Sequence, residues 1–403
     1  MTLRSSVTVS PARPCPVCGC IDRRPIHRQR FLEPEGEGFL GGYEVCGCTS
    51  CGFTYADGLP SQQMLDAYYR ERSKYEYADQ EGRESPQNRA RFNGVADLLE
   101  KHFPDRNIRI LEIGASTGGF LAVMTERGYT CLLGLDPSPA CAKGAKRLYG
   151  VRVEPWTIDE ALRRETTFDL AVALAVLEHV RDLQPFLAKL CSSLGPDGAL
   201  FVQVPDVEGF SDFPGAPFQE FSTEHINYFS AESLRNLMGR VGMEQRFVER
   251  TCVPESCGVT APVLNALYRR GAGAQLALSQ DAVSVPALTR YVEKCKGLDD
   301  HLRAVLRAVA ARGQPVLVWG TGTHTQRLLA EGALAGVNIA AYADSNPHMQ
   351  GRTLGGKVIL VPDAVKGRSE PILISSQVFQ REIEQLIRHT LGLSNEIITL
   401  YSR

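Results

Sequence analysis

A chain of 403 residues is too long for one ordinary hydrophobic core, so two or three domains are expected. With 43% hydrophobic and 22% charged residues, the composition is globular and excludes a disordered or fibrous chain. The 44 basic and 46 acidic side chains leave a formal charge of -2, so no basic field invites a nucleic-acid partner.

No apolar leader opens the chain, and no run of about 18 apolar residues occurs. A soluble, cytoplasmic protein with no membrane contact is expected. Residues 1–75 read as irregular, with β-like stretches such as Phe39 to Cys46 and a helix over Gln62 to Glu71. They carry Cys15-Pro-Val-Cys18-Gly19 and Cys48-Thr-Ser-Cys51-Gly52, two CxxC pairs separated by 29 residues. A CxxC turn points both sulfurs at one ion, and four thiolates suit tetrahedral Zn²⁺. Cys15, Cys18, Cys48 and Cys51 leave no open position, so a structural zinc is expected in a segment with too little apolar content to fold alone. The other eight cysteines, Cys131 and Cys191 among them, read as small buried hydrophobes.

From about Ser85 the pattern becomes alternating helix and strand. Asn88 to His102 is amphipathic; Arg109 to Ile113 is a strand, Phe120 to Arg127 a helix, Cys131 to Leu135 a strand and Ser138 to Tyr149 a helix. Leu170 to Ala173 follows, then a helix from Leu183 to Leu194 stopping at Gly195-Pro196, and a strand from Ala199 to Val204. Such alternation implies a mostly parallel sheet covered on both faces. Ser230 to Val241 is a helix opened by Ser230 with Glu232 assisting. Gln245 to Cys252 and Val263 to Arg269 read as a closing strand pair. Gly271 to Ser284 reads as a linker, and Val285 to Arg312 as a long helix. A second strand–glycine–helix unit begins at Val316 to Trp319 with Gly320-Thr-Gly322, and continues through Ile339 to Ala343 and Ile372 to Ser375. The domains expected are therefore 1–75, 76–284 and 285–403, the last a smaller Rossmann-like α/β unit.

The densest chemistry lies at Leu111-Glu112-Ile113-Gly114-Ala115-Ser116-Thr117-Gly118. A strand ends in a glycine turn that opens a helix, where backbone can approach a ligand and free N–H groups face an anion. Asp136 ends the next strand 24 residues after Glu112, where a carboxylate can accept from a ribose diol. The turn is E-x-G-x-x-x-G and lacks the G-x-G-x-x-G triplet of a dinucleotide site. This arrangement resembles the class I S-adenosylmethionine-dependent methyltransferases. The resemblance implies a seven-stranded, mostly parallel sheet. It also implies a cofactor site formed by Glu112, Gly114, Ala115, Ser116, Gly118, Asp136, Pro137 and Ala175. The Val153 to Thr157 stretch falls where that family places the adenine, and Leu177-Glu178-His179-Val180 follows the fourth strand in the same order.

Phe218 to Ser230, FQEFSTEHINYFS, is expected to run over the same sheet edge. Methyl transfer needs alignment, and a base if the nucleophile must lose a proton. His225 can supply the base, with Glu224, His179 and Tyr228 beside it and Asn227 and Ser222 facing the substrate. Read as structure alone, Glu224-His225 is a helix-capping cluster and Tyr228 is packing.

The order of cysteine module, methyltransferase core and C-terminal α/β domain resembles the nucleotide-sugar C-methyltransferases of antibiotic and surface-glycan pathways. Its marks are the CxxC pairs, Glu224-His225, and Ala343-Asp344-Ser345-Asn346-Pro347 followed by Gly351. In that family a ketosugar on a nucleoside diphosphate loses a proton next to its carbonyl, and the enolate takes the methyl group. The matching positions imply His225 as base or base partner, assisted by Glu224 and His179. Ser222 and Thr223 stand where that family usually has a tyrosine and often a histidine. O- or N-methylation of another small metabolite keeps the same scaffold. Gly320, Gly322 and Asp344 are candidates for the nucleotide or sugar-phosphate end, or else belong to a domain that only packs over the cleft. A monomer or homodimer acting on a small molecule is expected.

Overall fold

The computed structural model describes residues 12–36, 39–71, 84–164, 167–212, 215–255, 260–271 and 277–401. In chain order the first strands are β1 (Arg23–Arg30), β2 (Gly42–Cys48) and β3 (Thr54–Asp57), followed by helix α1 (Gln62–Glu71). Next come α2 (Pro86–His102), β4 (Arg109–Ile113), α3 (Gly119–Glu126), β5 (Cys131–Leu135), α4 (Pro139–Tyr149), β6 (Val153–Glu154) and α5 (Ile158–Arg164). Then follow β7 (Phe168–Leu174), α6 (Leu183–Ser192), β8 (Leu194–Pro205), β9 (Asn227–Tyr228), α7 (Ala231–Arg240), β10 (Met243–Pro254) and β11 (Thr260–Arg270).

Seven of these strands form one sheet in the order β10-β11-β8-β7-β4-β5-β6. Its pairs from β8 through β6 are parallel, and β11 runs antiparallel to both β8 and β10. This is the mostly parallel Rossmann-like sheet of class I methyltransferases, with the expected closing pair. Ile110 and Leu111 divide its two faces. Ile110 packs with Leu99, Phe120 and Met124, while Leu111 packs with Leu187, Leu190 and Leu237. Local chemistry sets the helix starts. Ser85 caps the Asn88 N–H ahead of Pro86, and Ser138 caps the Cys141 N–H ahead of Pro139.

Several boundaries differ from expectation. The strand after α6 begins at Leu194, so Gly195-Pro196 lies inside β8. There Phe168 pairs with Leu194 and Leu170 with Ala199, so residues 195–198 bulge out of the ladder and the proline removes no needed N–H. The box capping α7 pairs Ser230 with Ser233, while Glu232 bonds to Arg235. Cys131 is exposed rather than buried, whereas Cys191 is buried.

The cysteine module is not an independent lobe. Its sheet runs β1-β2-β3-β9, so the strand Asn227–Tyr228 from the His225 segment completes it. Of the linker read at 271–284, residues 272–276 lie outside the described set, and residues 277–283 are fixed in place. Asp281 is buried; its N–H donates to Cys51 O, and its carboxylate accepts from Ser230 Oγ and Ser284 Oγ at 2.7 and 2.6 Å.

Helix α8 (Ser284–Ala311) spans two cores. Its first half, through Leu288, Tyr291 and Cys295, packs against Phe218, Phe221 and Tyr228. Its second half, through Leu302, Leu306 and Val309, packs on the C-terminal sheet. The boundary at 284/285 therefore falls on a helix that belongs to both sides. Beyond it lie β12 (Val316–Trp319), α9 (Thr323–Ala330), β13 (Ile339–Ala343), β14 (Thr353–Leu354), β15 (Lys357–Leu360), β16 (Ile372–Ile374), α10 (Gln380–Gln385) and β17 (Ile397–Thr399). They form a six-stranded sheet in the order β14-β15-β13-β12-β16-β17, parallel except for β14. Among the described residues, no helix is long and apolar enough to cross a membrane.

Candidate active site

The strand β4 ends in a turn made of left-handed residues: Gly114 at φ 69°, Ser116 at φ 47° and Gly118 at φ 80°. A Cβ on Gly114 would meet Val176 Cγ2 at 2.8 Å, so only glycine lets the loop after β7 lie this close. That loop turns at Ala175, itself at φ 55°, a conformation that a non-glycine residue holds only when its surroundings impose it. Asp136 sits at the end of β5 and accepts from the Ser116 N–H at 2.9 Å and the Ser138 N–H at 3.0 Å. Gly114, Ala115, Ser116, Asp136 and Ala175 thus meet at one edge of the sheet. Pro137 follows Asp136 there, and Gly118 carries the turn into α3.

Glu112 is buried in the same corner, and its Oε2 has no hydrogen-bond partner. Burial, and then the neighbouring Asp136 charge, raise its carboxyl well above the ordinary value; the Arg91 charge works the other way. Burial also raises Asp136, offset by its two backbone hydrogen bonds. Sequence reasoning missed the polar set beside this corner. Arg91 Nε donates to Gln203 Oε1, and Gln203 Nε2 donates to Asn265 Oδ1 at 2.7 Å. A glutamine inside the otherwise apolar run Leu200 to Val204 was the available signal.

The second cluster gathers His179 and His225, whose rings meet edge to face at 5.1 Å between centroids. His179 Nδ1 lies 3.0 Å from the Glu224 carbonyl oxygen. A carbonyl only accepts, so Nδ1 carries the proton and neutral His179 keeps its lone pair on Nε2. His225 Nδ1 lies 3.8 Å from Glu220 Oε2, so the carboxylate facing it is Glu220 rather than the expected Glu224. The Glu224 carboxylate instead accepts from the Tyr68 hydroxyl at 3.5 Å.

Three residues assigned to chemistry or substrate hold the loop together. Ser222 Oγ accepts from the Glu224 and His225 N–H groups at 3.2 and 3.0 Å. Buried Tyr228 donates to the His225 carbonyl at 3.0 Å, and burial pushes its phenol well above the ordinary range. Asn227 donates to Leu177 O and Val180 O at 2.7 Å each and accepts from Arg13 Nη2 at 3.0 Å, which occupies its amide at both ends. Most of their hydrogen bonds go to backbone because the loop must cross the sheet edge with its own groups satisfied. Arg13, a second omission, also donates to Ala56 O and Ile226 O.

Cys15, Cys18, Cys48 and Cys51 converge as expected, with all four sulfurs within 4.8 Å of one another. The pairs Cys15–Cys51 and Cys18–Cys48 stand 3.6 and 3.4 Å apart. Four sulfurs at tetrahedral Zn–S distances would be roughly 3.7 Å apart, so the donor set fits one such ion.

The C-terminal sheet has its own corner. Gly320 holds φ 99°, and Asp344 accepts from the Thr321 N–H and Oγ1 at 2.7 and 2.6 Å and from the Asn346 N–H at 2.9 Å. Gly322 caps α9 without a side chain. From α9 the buried Arg327 lies over the Phe218 ring at 5.1 Å, so this domain touches the segment leading to His225.

Residues 87–246 match the family model described as a methyltransferase domain, and residues 313–399 match one described as C2185-like, N-terminal. The C-methyltransferase NovU of Streptomyces niveus is 26% identical over 260 residues, covering 62% of this chain and 61% of that protein. The ubiquinone biosynthesis O-methyltransferase of Azorhizobium caulinodans is 33% identical over 128 residues, covering 28% of this chain and 50% of that protein. The matches thus span about half to three fifths of these relatives' own lengths. A solved N1-methyltransferase of 1,6-didemethyltoxoflavin from Burkholderia thailandensis is 20% identical, covering 61% of this chain and 100% of that one with a TM-score of 0.41. Residues 87–246 are a methyltransferase domain.

Proposed function

We propose that this chain, built around a methyltransferase domain, transfers the methyl group of S-adenosylmethionine to a carbon next to the carbonyl of a nucleotide-linked ketosugar or a related small intermediate. One observation carries the reading: the corner at Gly114 and Asp136, with its buried Glu112, adjoins a loop whose neighbour presents two histidines. When bound, the cofactor supplies an electrophilic methyl on a sulfonium. Asp136 keeps further lone pairs on both oxygens for a ribose diol, and Glu112 Oε2 offers an acceptor for the ammonium of the amino-acid part. His225 accepts the proton from the carbon acid. Glu220 at 3.8 Å favours the resulting imidazolium, and His179, fixed by the Glu224 carbonyl, lies against the His225 ring.

The similarity to NovU over 62% of this chain supports carbon as the acceptor, and that to the ubiquinone enzyme, over a shorter stretch, supports oxygen. Solvent exchange separates them. Incubation of a nucleoside-diphosphate ketosugar in deuterated water should place deuterium beside the carbonyl. His225→Ala should slow exchange and methyl transfer by about 10²–10⁴-fold with S-adenosylhomocysteine affinity unchanged. An enzyme that methylates without any carbon-bound exchange would instead be an O- or N-methyltransferase.

The four-cysteine cluster is proposed to hold structural zinc. Because β3 pairs with β9, the ion would support the His225 loop as well as the knuckles. Metal analysis should find one zinc per chain, and chelation should lower the melting temperature and the activity together. Full activity after complete chelation would rule this role out.

A further inference from the structure

On the far side of the cysteine knuckles lies a cleft of about 870 Å³ that the methyl-transfer reading does not use. It is bounded by the chain at Arg13 to Pro16, by the length of α6 and by the end of α7 at Arg240 and Val241. Four arginines line it, Arg13, Arg181, Arg240 and Arg270, against one carboxylate, Asp182. In a chain with a net charge of -2, this concentration of cations is local.

The four are not equivalent. Arg13 is committed to the fold through the carbonyls and amide already named. Arg270 donates through Nη2 to the carbonyls of Cys191 and Leu194. Arg181 pairs through Nη1 with Asp182 at 2.8 Å, yet its buried Nε–H has no acceptor. Arg240 has no carboxylate within ion-pair distance among the described residues, and its Nε–H is likewise buried and unpartnered. A buried donor without an acceptor costs about 1–3 kcal/mol. The crowding is unfavourable as well, since four guanidinium groups share the cleft with one carboxylate. An anion in the cleft offsets that crowding of positive charge.

We propose that this cleft binds a phosphate-bearing small molecule, with Arg181 and Arg240 as its principal ligands. Guanidinium edges match phosphate oxygens in pairs, and the volume suits a metabolite of nucleotide size. The site is separate from the proposed transfer centre, although Arg181 follows His179 by two residues and its carbonyl receives Arg13.

Calorimetry with inorganic pyrophosphate on the intact, metal-loaded chain tests the assignment. Submillimolar binding is expected, at least tenfold weaker for citrate. Arg240→Gln and Arg181→Gln should each weaken pyrophosphate binding at least tenfold and leave S-adenosylhomocysteine affinity unchanged. That second titration also checks folding, and its own failure in wild-type protein would count against the methyl-transfer reading alone. Absence of pyrophosphate binding, binding indifferent to both substitutions, or equal affinity for citrate would overturn the phosphate site.

Discussion

At Gly114 and at Gly320 a buried strand ends in a glycine of positive φ, and in both places the aspartate ending the neighbouring strand receives backbone N–H groups from the turn and from two residues ahead. The corners differ two residues before the glycine. There the first has Glu112, buried with an orphan oxygen, and the second has Val318, an apolar core residue. Thr321 adds its hydroxyl to Asp344, which satisfies that carboxylate further. One corner carries an unsatisfied acid that a cationic or hydrogen-bonding ligand would relieve, and the other has no buried acid at that place. The same topology thus holds an unsatisfied buried acid in one corner and an apolar core residue at the matching place in the other.

The largest expected effect comes from removing each aspartate in turn. Asp136→Ala should weaken S-adenosylhomocysteine binding by roughly 100-fold, from the loss of charged acceptors for two hydroxyls. Asp344→Ala should leave that affinity unchanged and lower stability by about 1–3 kcal/mol, because the Thr321 and Asn346 N–H groups lose their acceptor. Calorimetry and urea unfolding read the two quantities. A Asp344→Ala variant that lost the cofactor and kept its stability would dissolve the distinction.

The first corner was legible in the sequence because its chemistry is local: Glu112, Gly114 and Asp136 sit at spacings that strand and turn geometry fix. The cysteine pairs were legible for the same reason. The His225 loop was read less well. Ser222, Asn227 and Tyr228 look like substrate-facing groups in sequence, but Ser222 turns back on the Glu224 and His225 N–H groups, while Asn227 meets Leu177, Val180 and Arg13, and Tyr228 meets Tyr43, brought in from far along the chain. Glu220 and Arg91 were missed because nothing in their local sequence marks which charge faces which histidine or acid. Asp281 was hidden in a stretch of small residues that reads as linker, and only the packing of Cys51, Ser230 and Ser284 around it shows otherwise.

The second effect tests whether Glu112 is held at a cost. Its folded carboxyl is raised above the ordinary 4.5, so the native state retains a proton that the unfolded chain releases. Stability without cofactor should therefore be greatest below that value and fall as pH rises through the folded one, by up to about 1.4 kcal/mol per pH unit. Glu112→Gln should lack this slope and bind S-adenosylhomocysteine more weakly. Urea midpoints measured against pH for both proteins give the comparison, and parallel curves would mean that Glu112 is not strained.

The smallest effect separates the two glycines. A Cβ at Gly320 meets Ser375 O at 3.3 Å as its nearest neighbour, whereas one at Gly114 meets Val176 Cγ2 at 2.8 Å on the loop that carries Ala175. Both positions hold positive φ, so either alanine is strained by about 1 kcal/mol. Gly320→Ala should show that loss in its melting temperature and nothing in cofactor affinity, since Ser375 lies in the C-terminal sheet's own corner. Gly114→Ala should also displace Val176 and with it the loop at Ala175, so its affinity falls while its melting temperature drops by a similar amount. If Gly320→Ala weakened S-adenosylhomocysteine as much as Gly114→Ala does, the C-terminal corner would have to communicate with the first through Arg327 and Phe218.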